Sequence, residues 1–318
     1  MLLSVVSPAH REEKNLPVLY ERLKATLDPI AGLDWEWVVV DDHSPDGTFA
    51  VLQQLAAADD RVRAVRFSRN FGSHKAILCG LAEAKGDCAV VICSDLQDPP
   101  EVIPQLLDVW QRDGAQIVWG QRGQRLGEAP SSLAFANLYY WLMRKVVGLD
   151  NMPPTGADVF LLDRFVIDTL SRFNEQHVSL IALLSWVGFR QSSITYDRQE
   201  RLHGASSWSL GKKIKLVVDS VTGFSYLPIR AISLAGLVAA LVGFGYAGVV
   251  VVSRLFGQQP EGWSSLMVVL LVMGGLQMIT MGILGEYIWR ALDQSRQRPP
   301  FVVEARTAER ARETHDAG

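Results

Sequence analysis

Short apolar runs alternate with amphipathic segments through the first two thirds of the chain. The apolar runs are rich in valine and isoleucine, as strands buried on both faces tend to be, and cover Leu2–Ser7, Trp35–Asp41, Val62–Phe67, Cys88–Cys93 and Gln116–Gly120. Helical periodicity separates them at Leu16–Leu27, Phe49–Ala57, Lys75–Ala84 and Pro100–Asp113. This alternation predicts a mainly parallel α/β sheet, which binds ligands at the carboxyl ends of its strands. Beyond Gly120 the pattern weakens into an amphipathic stretch at Ala134–Val147 and a mixed region to Tyr196.

Two long uncharged runs change the picture near Pro228. Ala231–Val252 has 22 residues and Leu266–Leu284 has 19, and neither run contains a charged side chain. At a rise of about 1.5 Å per residue, each run can cross a hydrocarbon core about 30 Å thick. Two buried helices of a soluble protein are the alternative, but uncharged runs this long are rare in soluble cores. We therefore predict two transmembrane helices.

Lysine and arginine flank these two runs unevenly. They lie before the first run and after the second, at Lys212, Lys213, Lys215, Arg230, Arg290, Arg296 and Arg298, whereas the segment between carries only Arg254. Because positive residues stay inside, we expect both ends of the chain in the cytoplasm and Arg254–Ser265 outside the inner (plasma) membrane. The chain starts without the basic region of a signal peptide, so we expect the first domain to stay in the cytoplasm.

An amphipathic segment precedes the first span. Between Trp208 and Leu227, apolar residues recur at helical spacing opposite the lysines, at Ile214, Val217, Val218, Val221 and Phe224. An ordinary surface helix would show the same pattern. The adjoining span favours instead a helix that lies on anionic membrane lipids.

Composition adds little beyond this. The net charge of −3 gives no reason to expect nucleic-acid binding, although the hydrophobic fraction of 48% agrees with membrane insertion. Cys79, Cys88 and Cys93 lack metal-ligand spacing, which fits a reducing compartment without disulfides.

The strongest candidate for chemistry is the string Cys93-Ser94-Asp95-Leu96-Gln97-Asp98-Pro99-Pro100-Glu101, where a buried strand ends in an acidic turn. Asp95 and the side-chain carbonyl of Gln97 offer hard oxygen ligands. Such ligands suit Mg²⁺ or Mn²⁺ shared with a diphosphate better than they suit Zn²⁺. For Asp98 two interpretations stay open, a catalytic carboxylate or the cap of the helix that begins at the prolines.

Two more strands end in polar groups. Asp41 and Asp42 close the second strand, where carboxylates can accept hydrogen bonds from a nucleobase N–H and from ribose hydroxyls. Asp46, in the same segment, is more typical of a turn or a helix cap. At the end of the first strand, Pro8 and Glu12 are placed to lie against a nucleotide.

Together with Ser68-Arg69-Asn70-Phe71-Gly72-Ser73-His74, these motifs resemble family 2 glycosyltransferases with a GT-A fold. Within that family the chain is similar to the polyprenyl-phosphate branch, bactoprenol glucosyltransferases and dolichol-phosphate mannose synthases. The resemblance covers Leu2 to about Arg298. Its most specific parts are the Asp-Leu-Gln-Asp-Pro-Pro-Glu string and Tyr196–Ser206, which resembles the acceptor loop of the branch.

The resemblance implies a role for each matching position. A nucleotide-sugar donor would be held by Pro8, Glu12, Asp41 and Asp42, while Arg69 stays open between a phosphate contact and a surface ion pair. Asp95 and Gln97 would hold the metal, Arg122 the phosphates, and Asp158 would lie near the sugar. The phosphates of donor and acceptor would contact Arg198 and Arg201, within an acceptor site that includes Ser206 and Lys212.

The implied layout is a cytoplasmic GT-A catalytic domain at 1–205 and the end of the acceptor loop with an interfacial helix at 206–228. Two spans then follow at 229–290, with an external loop at 254–265, and a partly disordered cytoplasmic tail occupies 291–318. The glycines Gly274, Gly275 and Gly282 would let spans pack closely in a homo-oligomer.

Three positions depart from the family pattern. Cys93 replaces the usual first aspartate of the metal motif, Phe160 stands where many relatives carry arginine, and Ser207 stands where many carry lysine. Lys212 or Lys213 is a candidate substitute for that lysine. The cysteine implies fewer protein oxygens on the metal.

The reaction implied is inverting transfer of a hexose, glucose favoured, from a UDP-sugar to a polyprenyl phosphate such as undecaprenyl phosphate. A nucleotide-dependent oxidoreductase does not fit, because no glycine-rich turn follows the first strand at Ser7-Pro8-Ala9-His10. A processive polysaccharide synthase does not fit either, because the sequence contains no Gln-x-x-Arg-Trp motif. The remaining alternative, suggested by Cys93, is a catalytically weakened membrane scaffold or nucleotide-binding relative.

Overall fold

The computed structural model describes residues 1–123, 130–145, 147–153, 156–173, 179–199, 210–225, 227–255 and 262–307. The chain divides into two compact units, Met1–Val217 with Pro299–Gly318, and Val218–Arg298. Two predicted acceptor residues, Arg201 and Ser206, lie outside the described residues, as do Ser207 and the predicted disordered end of the tail. Lys212 and Lys213 are described only by their backbone.

Within the described residues, the first unit is built on one sheet of eight strands. These are β1 (Leu2–Ala9), β2 (Asp34–Asp41), β3 (Val62–Phe67), β4 (Cys88–Val91), β5 (Ile117–Arg122), β6 (Ala157–Asp163), β7 (Gln191–Tyr196) and β8 (Val303–Arg306). Their spatial order is β7-β5-β6-β4-β1-β2-β3-β8. β6 is antiparallel to β4 and β5, and β8 is antiparallel to β3, while the other neighbours are parallel. The predicted mainly parallel α/β sheet is confirmed.

Helices link the strands and continue beyond them. They are α1 (Asn15–Leu27), α2 (Thr48–Ala58), α3 (Ser73–Glu83), α4 (Ile103–Asp113), α5 (Pro130–Lys145), α6 (Arg164–Leu170), α7 (Leu180–Trp186), α8 (Leu210–Phe224), α9 (Leu227–Leu255) and α10 (Trp263–Ser295). α4 shows how local sequence sets such bounds. A short 3-10 turn at Pro100–Val102 precedes it, Pro104 lies in its first turn, and Gly114 ends it with a φ of 60°.

Apolar side chains cover both faces of the sheet. On one face, α1, α2 and α4 supply Leu16, Leu52 and Leu106 to a core that includes strand residues such as Val5 and Trp37. On the other face, Ala76 and Cys79 of α3 form a second cluster with the strand residues Val40, Val65 and Phe67. Burial on both faces explains why the central strands read as continuous apolar runs.

The differences between prediction and structure lie after Gly120. The five predicted strands match β1 to β5, and the mixed region contains β6, α6, α7 and β7, which the pattern did not resolve. β8 follows the second predicted span and was not predicted at all. It returns to the sheet and pairs with β3 at the edge.

The second unit contains the two predicted spans. α9 and α10 include Ile229–Val250 and Val268–Ser295, two stretches within the described residues with mean hydropathies of 1.9 and 2.0, long and apolar enough to cross a membrane. Near the end of α10, Arg290 contacts Asp219 of α8 at 2.6 Å and Glu286 at 2.7 Å. The predicted helix before the first span is confirmed as α8. Its contact with lipid stays a prediction.

Candidate active site

The predicted site residues that the structure describes gather at one edge of the sheet. Pro8 is the last but one residue of β1 and Glu12 follows that strand, while Asp41 ends β2 and Asp42 comes directly after it. Asp95 and Gln97 follow β4, Arg122 ends β5, and Arg198 follows β7. Asp158 lies at the start of β6, which is the same edge because β6 runs antiparallel to β4 and β5. The sheet therefore places these polar groups where parallel sheets bind ligands.

Asp42 is held by backbone amides. Its Oδ1 accepts a hydrogen bond from Phe71 N at 2.6 Å, and its Oδ2 accepts one from Gly72 N at 2.8 Å. Burial raises the pKa of Asp42, although these two bonds act in the opposite direction. Asp42 thus fixes the loop that precedes α3, in addition to the nucleoside contact predicted for it.

Asp41 is fully buried beside it. Its Oδ1 accepts a hydrogen bond from Ser44 N at 2.9 Å. Its Oδ2 lies 3.6 Å from Arg66 Nε and has no hydrogen-bond partner among the described residues. We use the name amide cluster for Asp41, Asp42 and the backbone N–H groups that donate hydrogen bonds to them.

The loop after β1 is tied to the loop after β2. Arg11 N donates to Ser44 Oγ at 3.0 Å and Glu12 N donates to Thr48 Oγ1 at 2.9 Å. Arg11 adopts a φ of 64°, a left-handed conformation that these contacts stabilise. Glu12 also accepts a hydrogen bond from Asn15 Nδ2 at 2.5 Å. Both loops are therefore rigidly placed next to the amide cluster.

The acidic turn, residues 93–98, follows β4. Asp95 is buried and accepts a hydrogen bond from Gln97 N at 3.3 Å, while Leu96 between them has a φ of 60° and is fully buried. Ser94 Oγ donates to Pro8 O at 3.0 Å, and Gln199 N donates to Gln97 O at 2.8 Å. The turn is thus joined to the ends of β1 and β7.

Asp98 is fully buried and does not cap the following helix. That helix has Pro99 as its N-cap and no side-chain cap bond. Instead, Asp98 Oδ1 accepts a hydrogen bond from Tyr196 Oη at 2.6 Å and lies 3.4 Å from Arg198 Nε. Burial raises the pKa of Asp98 against the opposing effect of Arg198, and burial with Asp98 raises the pKa of Tyr196. The capping interpretation is therefore wrong.

Two arginines share the carboxylates of this region. Arg122 Nη2 forms a salt bridge with Asp158, and Arg198 Nη2 lies 3.9 Å from the same carboxylate. We call Asp98, Arg122, Asp158, Tyr196 and Arg198 the arginine cluster. Its guanidinium groups are held in place before any ligand arrives, with side-chain exposures of 14% for Arg122 and 21% for Arg198.

Arg69 lies apart from these groups, on the surface. Its guanidinium stacks over the ring of Phe71 with 4.1 Å to the centroid. The structure thus gives Arg69 a cation–π contact next to the loop that Asp42 holds. Phe160, the second departure from the family pattern, is buried against Trp119 with ring centroids 5.5 Å apart.

The chemistry of the turn fits a hard divalent cation. Asp95 supplies a carboxylate and Gln97 an amide carbonyl, and Mg²⁺ in proteins commonly takes one or two carboxylates with substrate phosphates. Burial raises the pKa of the Cys93 thiol, and Asp98 and Asp95 add to this. No set of three histidine, cysteine, aspartate or glutamate side chains suited to a metal occurs in the described ranges. A metal here would depend on phosphate oxygens to complete its ligands.

Three residues of this region were not predicted from the sequence. Tyr196 was noted only within the acceptor loop, and Arg66 and Glu304 were not singled out. Arg66 lies next to Asp41 and also 3.3 Å from Glu304, which belongs to β8. An arginine on a strand next to a candidate carboxylate is the only signal that the sequence offered.

The mixed sheet, with polar groups where β1, β2, β4 and β5 end, is of the GT-A type. The chain belongs to glycosyl transferase family 2, whose family model matches residues 4–170.

Relatives extend this similarity over nearly the whole chain. The uncharacterized glycosyltransferase YkcC of Bacillus subtilis (strain 168) is 37% identical over 302 residues, covering 95% of this chain and 93% of its own. The prophage bactoprenol glucosyl transferase homolog of Escherichia coli (strain K12) is 34% identical over 304 residues, covering 95% and 98%. Glucosyl-3-phosphoglycerate synthase from Mycobacterium tuberculosis, solved with Mn²⁺, uridine diphosphate and phosphoglyceric acid, has a TM-score of 0.47 and 20% identity, covering 70% of this chain and 78% of that chain.

Proposed function

We propose that this glycosyltransferase moves a hexose, glucose favoured, from a UDP-sugar to a polyprenyl phosphate such as undecaprenyl phosphate. The observation that carries the proposal is the arginine cluster beside the acidic turn, in a chain with two helices apolar enough to cross a membrane. The names of relatives support the acceptor, because bactoprenol glucosyl transferases from Shigella phages SfV and SfX are 34% and 32% identical over nearly the full chain.

The reaction poses an electrostatic problem. A lipid phosphate is anionic at neutral pH, so it attacks the anomeric carbon without a strong general base, but it must approach a donor that also carries negative charge. Arg122 and Arg198 present guanidinium groups that can exchange a carboxylate partner for a phosphate oxygen. A single displacement inverts the anomeric configuration, so an α-linked donor gives a β-linked product.

The acidic turn is proposed to hold the cofactor. Asp95 and Gln97 would bind Mg²⁺ or Mn²⁺, which when bound would neutralise charge on the leaving diphosphate as a Lewis acid. The hydrogen bonds of the turn to Pro8 O and Gln199 N fix the turn relative to the neighbouring strands. Such preorganisation lowers the cost of assembling the site when the donor binds.

The amide cluster is proposed to receive the nucleoside. Asp41 and Asp42 would accept hydrogen bonds from base and ribose, and Pro8 and Glu12 would border them. The buried Oδ2 of Asp41 supports this role, because a buried acceptor that lacks a hydrogen-bond partner among the described residues is costly unless a ligand supplies a donor. Arg69 would add a contact at the rim.

The acceptor side is proposed to include Arg198, Arg201, Ser206 and Lys212, near the interfacial helix α8. The pairing of β8 with β3 supports a hairpin of two spans, because residues after the second span then lie on the same side of the membrane as the catalytic sheet. We accordingly propose an inner-membrane enzyme with both ends of the chain in the cytoplasm. Packing of the glycine-containing second span would allow a homo-oligomer.

Reconstitution tests the proposal. Purified full-length protein in detergent is given Mn²⁺ or Mg²⁺, undecaprenyl phosphate, and each of a set of radiolabelled UDP- and GDP-sugars. We expect UDP-glucose to give a labelled lipid. We expect this transfer to need the metal and to be lost when EDTA is added. A protein that binds nucleotide but labels no lipid with any donor would support the alternative, a catalytically weakened membrane scaffold or nucleotide-binding relative. Cys93 in the acidic turn is the feature that suggests this alternative.

The variant Asp95→Ala tests, in the same assay, whether the acidic turn holds the metal. We expect transfer to fall by about 10²–10³-fold while the melting temperature changes little. Asp108→Ala is the matched control, since Asp108 is exposed on α4 and pairs only at the surface with Arg112. Retention of most activity by the Asp95 variant would refute the metal assignment.

A further inference from the structure

The segment Phe301–Thr307, which we call the strap, follows α10 in the sequence and closes the edge of the sheet. Its strand β8 pairs with β3, and Ala64 N donates to Thr307 Oγ1 at 2.9 Å. Phe301 stacks on Phe67 with ring centroids 5.0 Å apart. The strap is therefore part of the first unit, although it follows the two apolar helices in the sequence.

One strap residue, Glu304, contacts Arg66, which lies next to Asp41 of the amide cluster. A carboxylate oxygen of Glu304 lies 3.3 Å from Arg66 Nε, and the same nitrogen lies 3.6 Å from Asp41 Oδ2. Arg66 Nε is buried and makes no hydrogen bond to either carboxylate. Its Nη2 donates to Ser44 O at 3.4 Å. The guanidinium is thus held between two carboxylates and bonded through Nε to neither.

We propose that Glu304 of the strap is a positioning residue of the donor site that acts through Arg66. By attracting the guanidinium, Glu304 keeps Arg66 from closing a hydrogen-bonded ion pair with Asp41. The buried Oδ2 of Asp41 then stays available to a donor group of a nucleobase. This inference rests on the proposed function, in which Asp41 receives the nucleoside.

A purely structural role for the strap makes a different prediction. Covering an open sheet edge needs only the pairing of β8 and its side contacts. Arg306 provides such a contact, since it pairs with Glu83 of α3 at 3.1 Å. Loosening the strap at Arg306 and changing the charge at Glu304 therefore separate the two roles.

The test measures UDP binding by calorimetry with the full-length protein in detergent. For Glu304→Gln we expect an affinity lower by about 3- to 10-fold, because Arg66 pairs fully with Asp41 once its second partner is neutral. Glu304→Asp should recover most of the affinity. Arg306→Met, the matched control, should bind UDP within about twofold of the wild type, a change below ~0.4 kcal/mol.

A double-mutant cycle and steady-state kinetics complete the test. If Glu304 acts through Arg66, Glu304→Gln should have no further effect on UDP affinity in an Arg66→Met background. In turnover, Glu304→Gln should raise the KM for the donor while kcat and the KM for lipid phosphate stay at wild-type values.

Two results overturn the inference. One is an unchanged UDP affinity in Glu304→Gln while the wild type binds UDP, and the other is an equal loss in Arg306→Met, which would mean that only strap docking matters. Failure of the proposed function gives a different pattern. Wild-type protein would then bind UDP, with the Glu304 effect intact, and yet label no lipid.

Discussion

The amide cluster and the arginine cluster lie at the same edge of one sheet, but their carboxylates have different partners. In the amide cluster, Asp42 accepts hydrogen bonds from two backbone N–H groups. In the arginine cluster, Asp98 and Asp158 contact the guanidinium groups of Arg198 and Arg122, respectively. Backbone donors cannot leave their carboxylate without moving a loop, whereas a guanidinium can exchange one anion for another.

This difference matches the two halves of the proposed donor. A nucleoside is neutral and is recognised by hydrogen bonds of fixed direction, which a rigid cluster provides. A diphosphate is charged and is recognised by cationic side chains. In the arginine cluster these side chains are already paired with carboxylates, which reduces the cost of keeping the guanidinium groups partly buried. Breaking each cluster should therefore have a distinct kinetic signature.

Among variants of the two clusters, the largest effect is expected from Arg122→Met. Removing this guanidinium leaves Asp158 without its salt bridge and takes a cation from the phosphates, so we expect kcat/KM to fall by about 10²-fold. Arg112→Met is the control, because Arg112 is 65% exposed and pairs with surface aspartates. Steady-state transfer assays decide, and a fall smaller than about threefold would remove Arg122 from the mechanism.

Asp42→Ala should give the next largest effect. Loss of both amide bonds frees the loop at Phe71 and Gly72, so we expect a loss of about 1–3 kcal/mol in unfolding free energy and a higher donor KM. The kcat should change little, in contrast to Arg122→Met. Asp34→Ala, at the exposed start of β2, is the matched control. A drop in kcat with an unchanged donor KM would contradict the division between the two clusters.

Asp98→Asn tests the arginine cluster through pH. Because the folded state raises the pKa of Asp98 above its ordinary value, the folded protein binds this proton more readily than the unfolded chain does. The contribution of Asp98 to stability is thus fully present below the ordinary pKa and is lost as pH rises through the raised one. Melting temperatures measured from pH 7 down to pH 4, by about half-unit steps, should show the wild type gaining relative to Asp98→Asn as the pH falls. A constant difference between the two proteins would show that Asp98 is ionised throughout.

Arg69→Ala should have the smallest effect. An exposed cation–π contact is worth about 0.5–1 kcal/mol, so we expect a small loss of stability and a donor KM within about threefold of the wild type. Thermal melts and donor titrations measure both. A rise in donor KM of about tenfold or more would instead make Arg69 a phosphate contact.

Much of the fold could be predicted because β1 to β5 are locally apolar. β7, the half-buried edge strand Gln191–Tyr196, has no comparable signal. β8 contains Glu304 and Arg306 among its four residues and is stabilised by pairing with β3, so only the return of the chain defines it. Local hydrophobicity therefore predicts central strands and misses the edges.

The site shows the same limit. Positions such as Asp41, Asp95 and Arg122 could be predicted because the ends of parallel strands meet at one edge. Their partners could not, because Tyr196 reaches Asp98 across 98 residues of sequence. The capping interpretation of Asp98 failed for this reason, because no residue near Asp98 in the sequence predicts its hydrogen bond with Tyr196.

The strap also has a consequence for how the protein is made. Ala64 of β3 and Thr307 of the strap are 243 residues apart, so β3 leaves the ribosome roughly 12–50 s before its edge partner exists. During that interval the nascent sheet carries an open edge, a ready template for pairing with other chains. Both apolar helices emerge before the edge closes, and a chain released early would expose the uncovered strand β3.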